Sequence, residues 1–220
     1  MKTVAFVPIK LNSERLPLKN IKPFCDGTPL ISCILKTLNK VKNVDEVYVY
    51  CSDEKITEYL PEGVKFLKRD PYYDLSTTKF NEVLSSFAEL VEADVYVLTH
   101  ATAPFISAES IELGVEKVAS GEYESAHAVT LLQEFLWHDG KPLNYELQNI
   151  PRTQDLPKYF TETCGLYVYT RDLILNQQRR ISDKPYLVEV TKIEACDINT
   201  GDDFIIADAI YASIYGGENK

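Results

Sequence analysis

Residues 4–51 read VAFVPIKLNSERLPLKNIKPFCDGTPLISCILKTLNKVKNVDEVYVYC, and this stretch decides the fold class. Its first six residues, up to Ile9, are all apolar and predict a buried strand. Pro29 to Val41 carries apolar residues three and four positions apart, which is the spacing of one helix face. Val44 to Cys51 is rich in residues that favour strands. Strand, helix and strand in this order predict a parallel pair joined by a helical crossover.

The same alternation continues along the rest of the chain. We expect an α/β fold in which a mostly parallel sheet is covered by helices on both faces. The further predicted helices are one after Ser52 that ends before Pro61, Thr78–Val91, one capped by Ser107 that runs to about Ala119, and Asp202–Tyr215, and the further predicted strands are Val64–Leu67, Asp94–Leu98, Gly165–Tyr169 and Tyr186–Val190.

The region from Trp137 to Phe160 interrupts this rhythm, because it is polar and contains three prolines. We interpret residues 1–220 as a single domain with an excursion over about 137–186. The alternative interpretation of the same stretch is a separate small subdomain.

Charge and composition exclude several classes of protein. The chain has 33 Asp and Glu against 23 Lys and Arg, a net charge of −10. We therefore expect no nucleic-acid partner, which would need a basic footprint, and no attraction to anionic membranes. No apolar stretch reaches the 18 residues of a membrane span, and the apolar run in MKTVAFVPIK is too short for a signal segment.

The cysteines indicate the compartment. There are five of them with no CxxC pair, and only three histidines, which argues against a zinc site and against a disulfide framework. Scattered thiols of this kind are typical of a reducing compartment, so we expect a cytoplasmic protein.

A basic loop follows the first predicted strand. Its local charge is +3 in an acidic chain, and the carboxyl ends of parallel strands line ligand crevices. Clustered cations there favour a phosphate-bearing ligand, although a solvated loop with incidental lysines is the alternative. The loop lacks the glycine spacings of dinucleotide-binding and P-loop motifs. The residues of interest are the cations Lys10, Arg15, Lys19 and Lys22, and the neutral hydrogen-bonding residues Asn12 and Ser13.

The loop sequence also carries a family resemblance. VPIKLNSERLPLKNIKPFCDGTPLI, residues 7–31, resembles the opening of the sugar-acid cytidylyltransferases, the enzymes that make CMP-sialic acid and CMP-Kdo. The resemblance implies a three-layer, Rossmann-like nucleotide-diphospho-sugar transferase fold, with the excursion used to form a homodimer. The matching positions are Pro8, Ser13, Arg15, Leu16, Pro17, Lys19, Asn20, Ile21, Pro23, Gly27, Pro29, Leu30 and Ile31.

The resemblance implies that this loop binds CTP. Lys19 would contact the triphosphate and offset the charge that develops on pyrophosphate, and Arg15 would stabilise the phosphates with it. Lys10 stands where the family usually has Arg and keeps the charge without the bidentate fork. The remaining nucleotide contacts would come from Asn12, Ser13 and Asn20.

Two further segments follow the family order. LKRDPYYDLSTTKFNEVL, residues 67–84, resembles the stretch that faces cytidine, which would involve Arg69 with Thr77 and Thr78. The alternatives are a helix cap formed by one of the threonines and a surface pair of Arg69 with the adjacent aspartate. In THATAPFIS, residues 99–107, His100 falls where the family has a sugar-contacting Gln, and a packed core histidine is the alternative.

The segment IPRTQDLPKYFTETCGLYVY, residues 150–169, resembles the sugar-binding stretch of the family. Arg152, Gln154 and Tyr167 would contact the sugar, with Arg152 bidentate to its carboxylate. The alternative is a solvated Arg152 on a loop that its prolines fix.

The closing segment IEACDINTGDDFIIAD, residues 193–208, suggests a metal site. Asp197 and Asn199 are two positions apart, which places both side chains on one face of an extended chain. Oxygen ligands of this kind suit Mg²⁺ or Mn²⁺. In the resembling family motif Asp197 is the first metal aspartate, and Asn199 replaces the second.

Together these segments predict an enzyme that joins CMP from CTP to an α-keto sugar acid and releases pyrophosphate, with Mg²⁺ as cofactor. Two alternatives stay open. One is a nucleotidyltransferase that acts on a sugar 1-phosphate. The other is a nucleotide- or sugar-binding protein without catalysis, which the departures from the family at Lys10, Leu11, His100 and Asn199 suggest.

Overall fold

The computed structural model describes residues 1–12 and 18–216. Strands and helices alternate through most of the chain, as the sequence predicts. The strands are β1 (Thr3–Ile9), β2 (Glu46–Cys51), β3 (Val64–Lys68), β4 (Val95–Leu98), β5 (Ser125–Leu132), β6 (Trp137–His138), β7 (Lys141–Pro142), β8 (Tyr159–Thr170) and β9 (Tyr186–Glu189), and the α-helices are α1 (Leu30–Leu38), α2 (Phe80–Leu90), α3 (Ala108–Ala119), α4 (Arg171–Leu175) and α5 (Gly201–Tyr215).

Seven strands form one sheet in the order β3-β2-β1-β4-β8-β5-β9. Every pairing is parallel except those of β8, which runs antiparallel to β4 and β5. The predicted α/β fold with a mostly parallel sheet is therefore confirmed. The chain moves outward from β1 to β3 and then returns to the other side of β1 as β4. This reversal of direction opens a crevice at the carboxyl ends of β1 and β4.

Helices pack on both faces of the sheet, which gives three layers, and β1 is accordingly apolar on both of its faces. Val7 and Ile9 pack with α1 and α3, whereas Val4 and Phe6 pack with α2 and α4. Successive side chains of a strand point to opposite faces, so a continuous apolar run is what a doubly covered strand requires.

The helix α5 packs against the segment that follows the basic loop. Phe24 stacks on Tyr211 with ring centroids 4.3 Å apart, and the Tyr211 hydroxyl donates to Asp26 at 2.9 Å. The backbone N–H of Cys25 donates to Asp208 at 2.7 Å. These contacts hold the C-terminal helix on the segment that joins the first loop to α1.

Several sequence predictions need correction. The strand β5 was not predicted at all. The expected helix after Ser52 is a 3₁₀ turn, Glu54–Tyr59, which Asp53 caps. Neither Thr77 nor Thr78 caps α2, because the helix begins at Phe80 and Lys79 occupies its N-cap position.

The excursion is shorter than the predicted range of about 137–186. Strand β8 lies inside that range but belongs to the main sheet, because its second half, residues 165–169, is buried between β4 and β5. The part outside the main sheet carries the hairpin β6–β7, which turns at Asp139 and Gly140 with φ of 48° and 73°. Both turn residues are left-handed, which Asp-Gly favours. In the described part of the chain, no helix is long and apolar enough to cross a membrane.

Replacing Phe87 by Ala should lower the free energy of unfolding by about 3–5 kcal/mol, because it leaves a cavity where the ring stacks on Phe6 at 3.9 Å. Leu90→Ala on the same helix is the matched control. Leu90 is 61% exposed, so its truncation should change stability by less than about 0.5 kcal/mol. Urea unfolding of both variants measures the difference. Equal losses would contradict the assignment of this face of α2 to the core.

Candidate active site

The candidate site lies at the crevice between β1 and β4. The basic loop follows β1, His100 follows β4, and Arg69 follows β3, so the three lie along the same edge of the sheet. Residues 197–199, which precede α5, reach this edge as well. The predicted residues Ser13 and Arg15 lie outside the described residues.

The backbone of Ile198 joins two sides of the crevice. Its N–H donates to the carbonyl of Thr102 at 2.9 Å, and its carbonyl accepts from Lys19 Nζ at 2.7 Å. The Ile198 side chain is completely buried, so this segment has a fixed position. Ile198 stands between Asp197 and Asn199 in the sequence, so the Lys19 ammonium contacts the backbone between these two residues.

The start of the basic loop is held by Asn20. Its buried side chain donates to the carbonyl of Lys10 at 3.0 Å, which closes the loop on itself. Lys10 Nζ lies 3.4 Å from the carbonyl of Asp74. Asn12 is exposed and lines a small cavity with Ser52 and Asp74. The structure thus brings Lys10, Asn12 and Asn20 together at the mouth of the crevice.

Arg69 is paired with Asp74, a residue that lines this cavity. It is 3% exposed, donates to the carbonyl of Ile9 at 2.6 Å, and forms an ion pair with Asp74. A buried guanidinium needs such partners because desolvation penalises an unpaired charge. The alternative of a surface pair with Asp70 is wrong, since the Asp70 carboxylate instead accepts from the N–H of Tyr72.

The two threonines occupy the loop before α2. Thr77 is exposed, and the Thr78 hydroxyl donates to the carbonyl of Tyr72 at 2.9 Å. Both follow the 3₁₀ turn Pro71–Asp74, which the Arg69–Asp74 pair fixes to the sheet. Thr77 and Thr78 thus follow a turn whose last residue, Asp74, lines the cavity.

His100 is half-buried, with its ring centroid 5.5 Å from that of Phe80. Its pKa is lowered to about 4 by burial and by the positive charges of Arg180 and Lys19, and this value includes the opposing effect of Asp197. The imidazole is therefore neutral above about pH 5. A neutral imidazole has one donor and one acceptor nitrogen, which suits a hydroxyl ligand.

Tyr167 lies in β8, the strand paired with β4, and its register partner is Leu98. It is buried, its hydroxyl donates to Glu162 Oε1 at 2.5 Å, and its ring lies under the guanidinium of Arg180 at 4.3 Å. Burial, together with the bond to Glu162, raises the pKa of Tyr167. The phenol is therefore protonated and keeps its position as a donor.

Arg152 and Gln154 lie on the excursion. The Arg152 side chain is 72% exposed and makes two contacts with Asp155, at 2.7 and 3.0 Å. The carbonyl of Gln154 accepts from the Gln133 side chain at 3.0 Å. The Arg152 guanidinium thus already has a carboxylate partner within its own turn.

Asp197 and Asn199 contact each other. The Asn199 amide N–H donates to Asp197 Oδ2 at 2.7 Å, while Asp197 Oδ1 is buried and has no hydrogen-bond partner among the described residues. A buried carboxylate oxygen without a partner is the kind of atom that a cation would satisfy. Asn199 would have to turn its amide over before its oxygen could join Asp197 on the same ion.

The donor set fits a magnesium ion that is bound together with phosphates. Within residues 1–12 and 18–216, no group of three or more His, Cys, Asp or Glu is arranged to hold a metal. Mg²⁺ is commonly held by one or two carboxylates together with substrate phosphates and water. Asp197 meets that requirement, and the Lys19 ammonium beside it provides a further phosphate contact.

Sequence reasoning missed Arg180. Its guanidinium lies over the rings of Tyr167 and Phe80, and its charge acts on His100. The only signal in the sequence is a pair of adjacent arginines, Arg179 and Arg180, in an acidic chain. The sequence does not indicate that this pair lies near His100 in the fold, because Arg180 is 80 residues from His100 along the chain.

Comparisons with known proteins give a consistent result. The family model described as cytidylyltransferase matches residues 4–199. An N-acylneuraminate cytidylyltransferase of Oncorhynchus mykiss is 28% identical over 180 residues, which cover 77% of this chain and 41% of that protein. A pseudaminic acid cytidylyltransferase of Campylobacter jejuni is 24% identical over 225 residues, which cover 96% and 97% of the two chains. The chain thus spans about two fifths of the first relative's length and about half of another curated relative's length.

Among solved structures, a CMP:2-keto-3-deoxy-manno-octonic acid synthetase complexed with CTP superposes with a TM-score of 0.73. The match covers 97% of this chain and 99% of that one, at 18% sequence identity. At this identity the likeness establishes the fold alone.

Replacing His100 by Gln should change how stability depends on pH. The pKa of His100 is about 4 in the folded protein and 6.5 in the unfolded chain. As the pH falls, the unfolded state therefore binds this proton before the folded state does. The wild-type protein should therefore lose stability relative to the variant as pH falls from about 6.5 to 4. Urea unfolding at pH 8, 6 and 5, without added metal, measures this. Parallel pH profiles would show that His100 is not held in its neutral form.

Proposed function

This chain belongs to the cytidylyltransferase family, and we propose that it transfers CMP from CTP to an α-keto sugar acid and releases pyrophosphate. The family resemblance that the sequence predicts is confirmed by the family model, which covers residues 4–199. The observation that carries the proposal is the bond from Lys19 to the carbonyl of Ile198, between Asp197 and Asn199. It brings a cation from the first loop to the segment with the unpartnered carboxylate oxygen, as a nucleoside triphosphate would require.

In the proposed reaction the anomeric hydroxyl of the sugar acid attacks the α-phosphorus of CTP. A bond forms between the sugar oxygen and phosphorus, the bond from phosphorus to the bridging oxygen breaks, and pyrophosphate leaves. Lys19, with Lys10 and Arg15, stabilises the charge on the phosphates. The reaction needs no covalent enzyme intermediate, because positioning and electrostatic stabilisation account for most of the catalysis in transfers of this type.

The other predicted residues divide between the two substrates. We assign Arg69, through its pair with the cavity residue Asp74, and the loop of Thr77 and Thr78 to the cytidine side. His100, neutral and beside Phe80, would orient a hydroxyl of the sugar on the acceptor side. Asn12, Ser13 and Asn20 complete the nucleotide side, and Arg152 and Gln154 would reach the sugar from the excursion.

We propose Mg²⁺, or Mn²⁺, as the cofactor, held by Asp197 and by the carbonyl oxygen of Asn199 after its amide turns over. When bound, a divalent cation neutralises phosphate charge and lowers the pKa of a coordinated hydroxyl. Asp197 keeps one carboxylate oxygen available for it.

We also propose a homodimer that forms through the excursion, and a cytoplasmic location. The excursion exposes large apolar side chains, among them Trp137, Leu143 and Ile150, and apolar patches of this kind mark interaction surfaces. All five cysteines are free thiols, which suits a reducing compartment.

Pyrophosphate release tests the function, in reactions with CTP, Mg²⁺ and a panel of α-keto sugar acids. We expect release with at least one acid. Lys19→Ala should lower kcat by about 10²-fold or more, because it removes a cation from the developing charge. Lys36→Ala, an exposed residue of α1, is the control and should keep the wild-type rate. Absence of release across the panel, or a wild-type rate for Lys19→Ala, would refute the assignment.

Metal binding tests the cofactor separately. Asn199→Asp should tighten Mn²⁺ binding by about fivefold or more, since one added charge near the ion contributes at least about 1 kcal/mol. Electron paramagnetic resonance of free Mn²⁺, without nucleotide, gives the dissociation constant. Asp202→Asn, at the exposed start of α5, is the control and should change it little. Equal affinity of Asn199→Asp and wild type would contradict a metal site at this pair.

A further inference from the structure

Arg180 is held rigidly by two aromatic side chains. Its guanidinium lies 4.3 Å from the ring centroid of Tyr167 in β8 and 5.4 Å from that of Phe80 in α2. Stacking on aromatic faces fixes the plane of a guanidinium without using its N–H donors. The donors of Arg180 thus remain available while the side chain has a defined direction.

The contacts of Arg180 leave its charge incompletely satisfied. Glu162 Oε1 is 3.9 Å from its terminal nitrogen, which is beyond hydrogen-bond distance, and that carboxylate accepts from the Tyr167 hydroxyl. Within the described residues, Arg180 Nε is buried and has no hydrogen-bond partner. A buried donor of a charged group without an acceptor is costly, so an anionic ligand would be stabilising here.

Arg180 also lies on the acceptor side of the proposed site. Its positive charge acts on His100 and on Cys164, and the negative charge of Asp197 acts on both of these groups as well. The Phe80 ring lies 5.5 Å from the His100 ring and 5.4 Å from the Arg180 guanidinium, so His100 and Arg180 neighbour the same side chain. A ligand beside His100 would therefore lie close to the Arg180 guanidinium as well.

We propose that Arg180 binds the carboxylate of the sugar-acid acceptor. The inference rests on the proposed function and names the residue that selects its substrate class. In a cyclic α-keto sugar acid the carboxylate is attached to the anomeric carbon, which also bears the attacking hydroxyl. A bidentate contact to the carboxylate therefore fixes the direction of that hydroxyl.

Arg180 suits this role better than Arg152, which the sequence favours. The Arg152 guanidinium is exposed and already paired with Asp155, so binding a substrate there would require breaking that pair. Among the described residues, Arg180 Nε is a buried donor without a partner, and the guanidinium lies on Tyr167 and on Phe80, the ring next to His100. The same donor set would discriminate against neutral sugars, which would leave it unpaired.

The test compares an acceptor acid that the wild type uses with its carboxamide analogue. For Arg180→Gln we expect the KM for the acid to rise by about 100-fold, with the KM for CTP within about twofold of wild type. The preference for acid over carboxamide in kcat/KM should fall by a similar factor. Arg180→Lys keeps the charge without the fork and should lose less. A structural defect would not alter this ratio of two acceptors.

Arg179→Gln is the matched control, because Arg179 pairs with Asp183 at 2.6 Å, and it should keep the wild-type preference. Arg152→Gln tests the rival residue in the same assay. If Arg180→Gln keeps the wild-type acid preference, or only Arg152→Gln loses it, the inference is overturned while the proposed function stands. If the wild type turns over no sugar acid, the proposed function fails and the inference fails with it.

Discussion

The backbone of Ile198 connects the parts of this protein that have to act together. Its N–H bonds the loop after β4, and its carbonyl bonds Lys19 from the loop after β1. A peptide group has one donor and one acceptor, so a single buried residue can join two loops and a third segment. The positions of Lys19, Asp197 and Asn199 relative to one another follow from these two bonds.

This arrangement depends in turn on the order of the strands. Because the chain returns from β3 to place β4 beside β1, the loops after β1 and β4 border the same crevice. The helix α5 is held against the segment that follows the basic loop, since Phe24 stacks on Tyr211 and the Cys25 N–H donates to Asp208. The two faces of β1 are filled by separate helix pairs, which keeps the crevice edge rigid.

Charge is distributed unevenly around the site. On the nucleotide side, Arg69 forms an ion pair with Asp74, which lines the cavity there. On the acceptor side, Arg180 is stacked on Tyr167, and burial together with the Arg180 charge keeps His100 neutral. Among the described residues, Nε of both arginines is buried without a hydrogen-bond partner, so the two differ in their ion pairs: Arg69 bonds Asp74, whereas the Glu162 carboxylate is 3.9 Å from Arg180. This difference separates two arginines that are equally basic in the sequence.

The sequence by itself determined the α/β class, the run of residues that forms β1, and the motifs around Lys19 and Asp197, because strand and helix periods and short motifs are local properties. It missed β5, and the threonine cap that it left open as an alternative is wrong, because Lys79 occupies that position. Only the tertiary structure decided that Arg69 is buried and that Arg180 lies on Tyr167. The physical reason is that contacts between residues far apart in the chain depend on strand order and on loop paths, which local patterns do not encode.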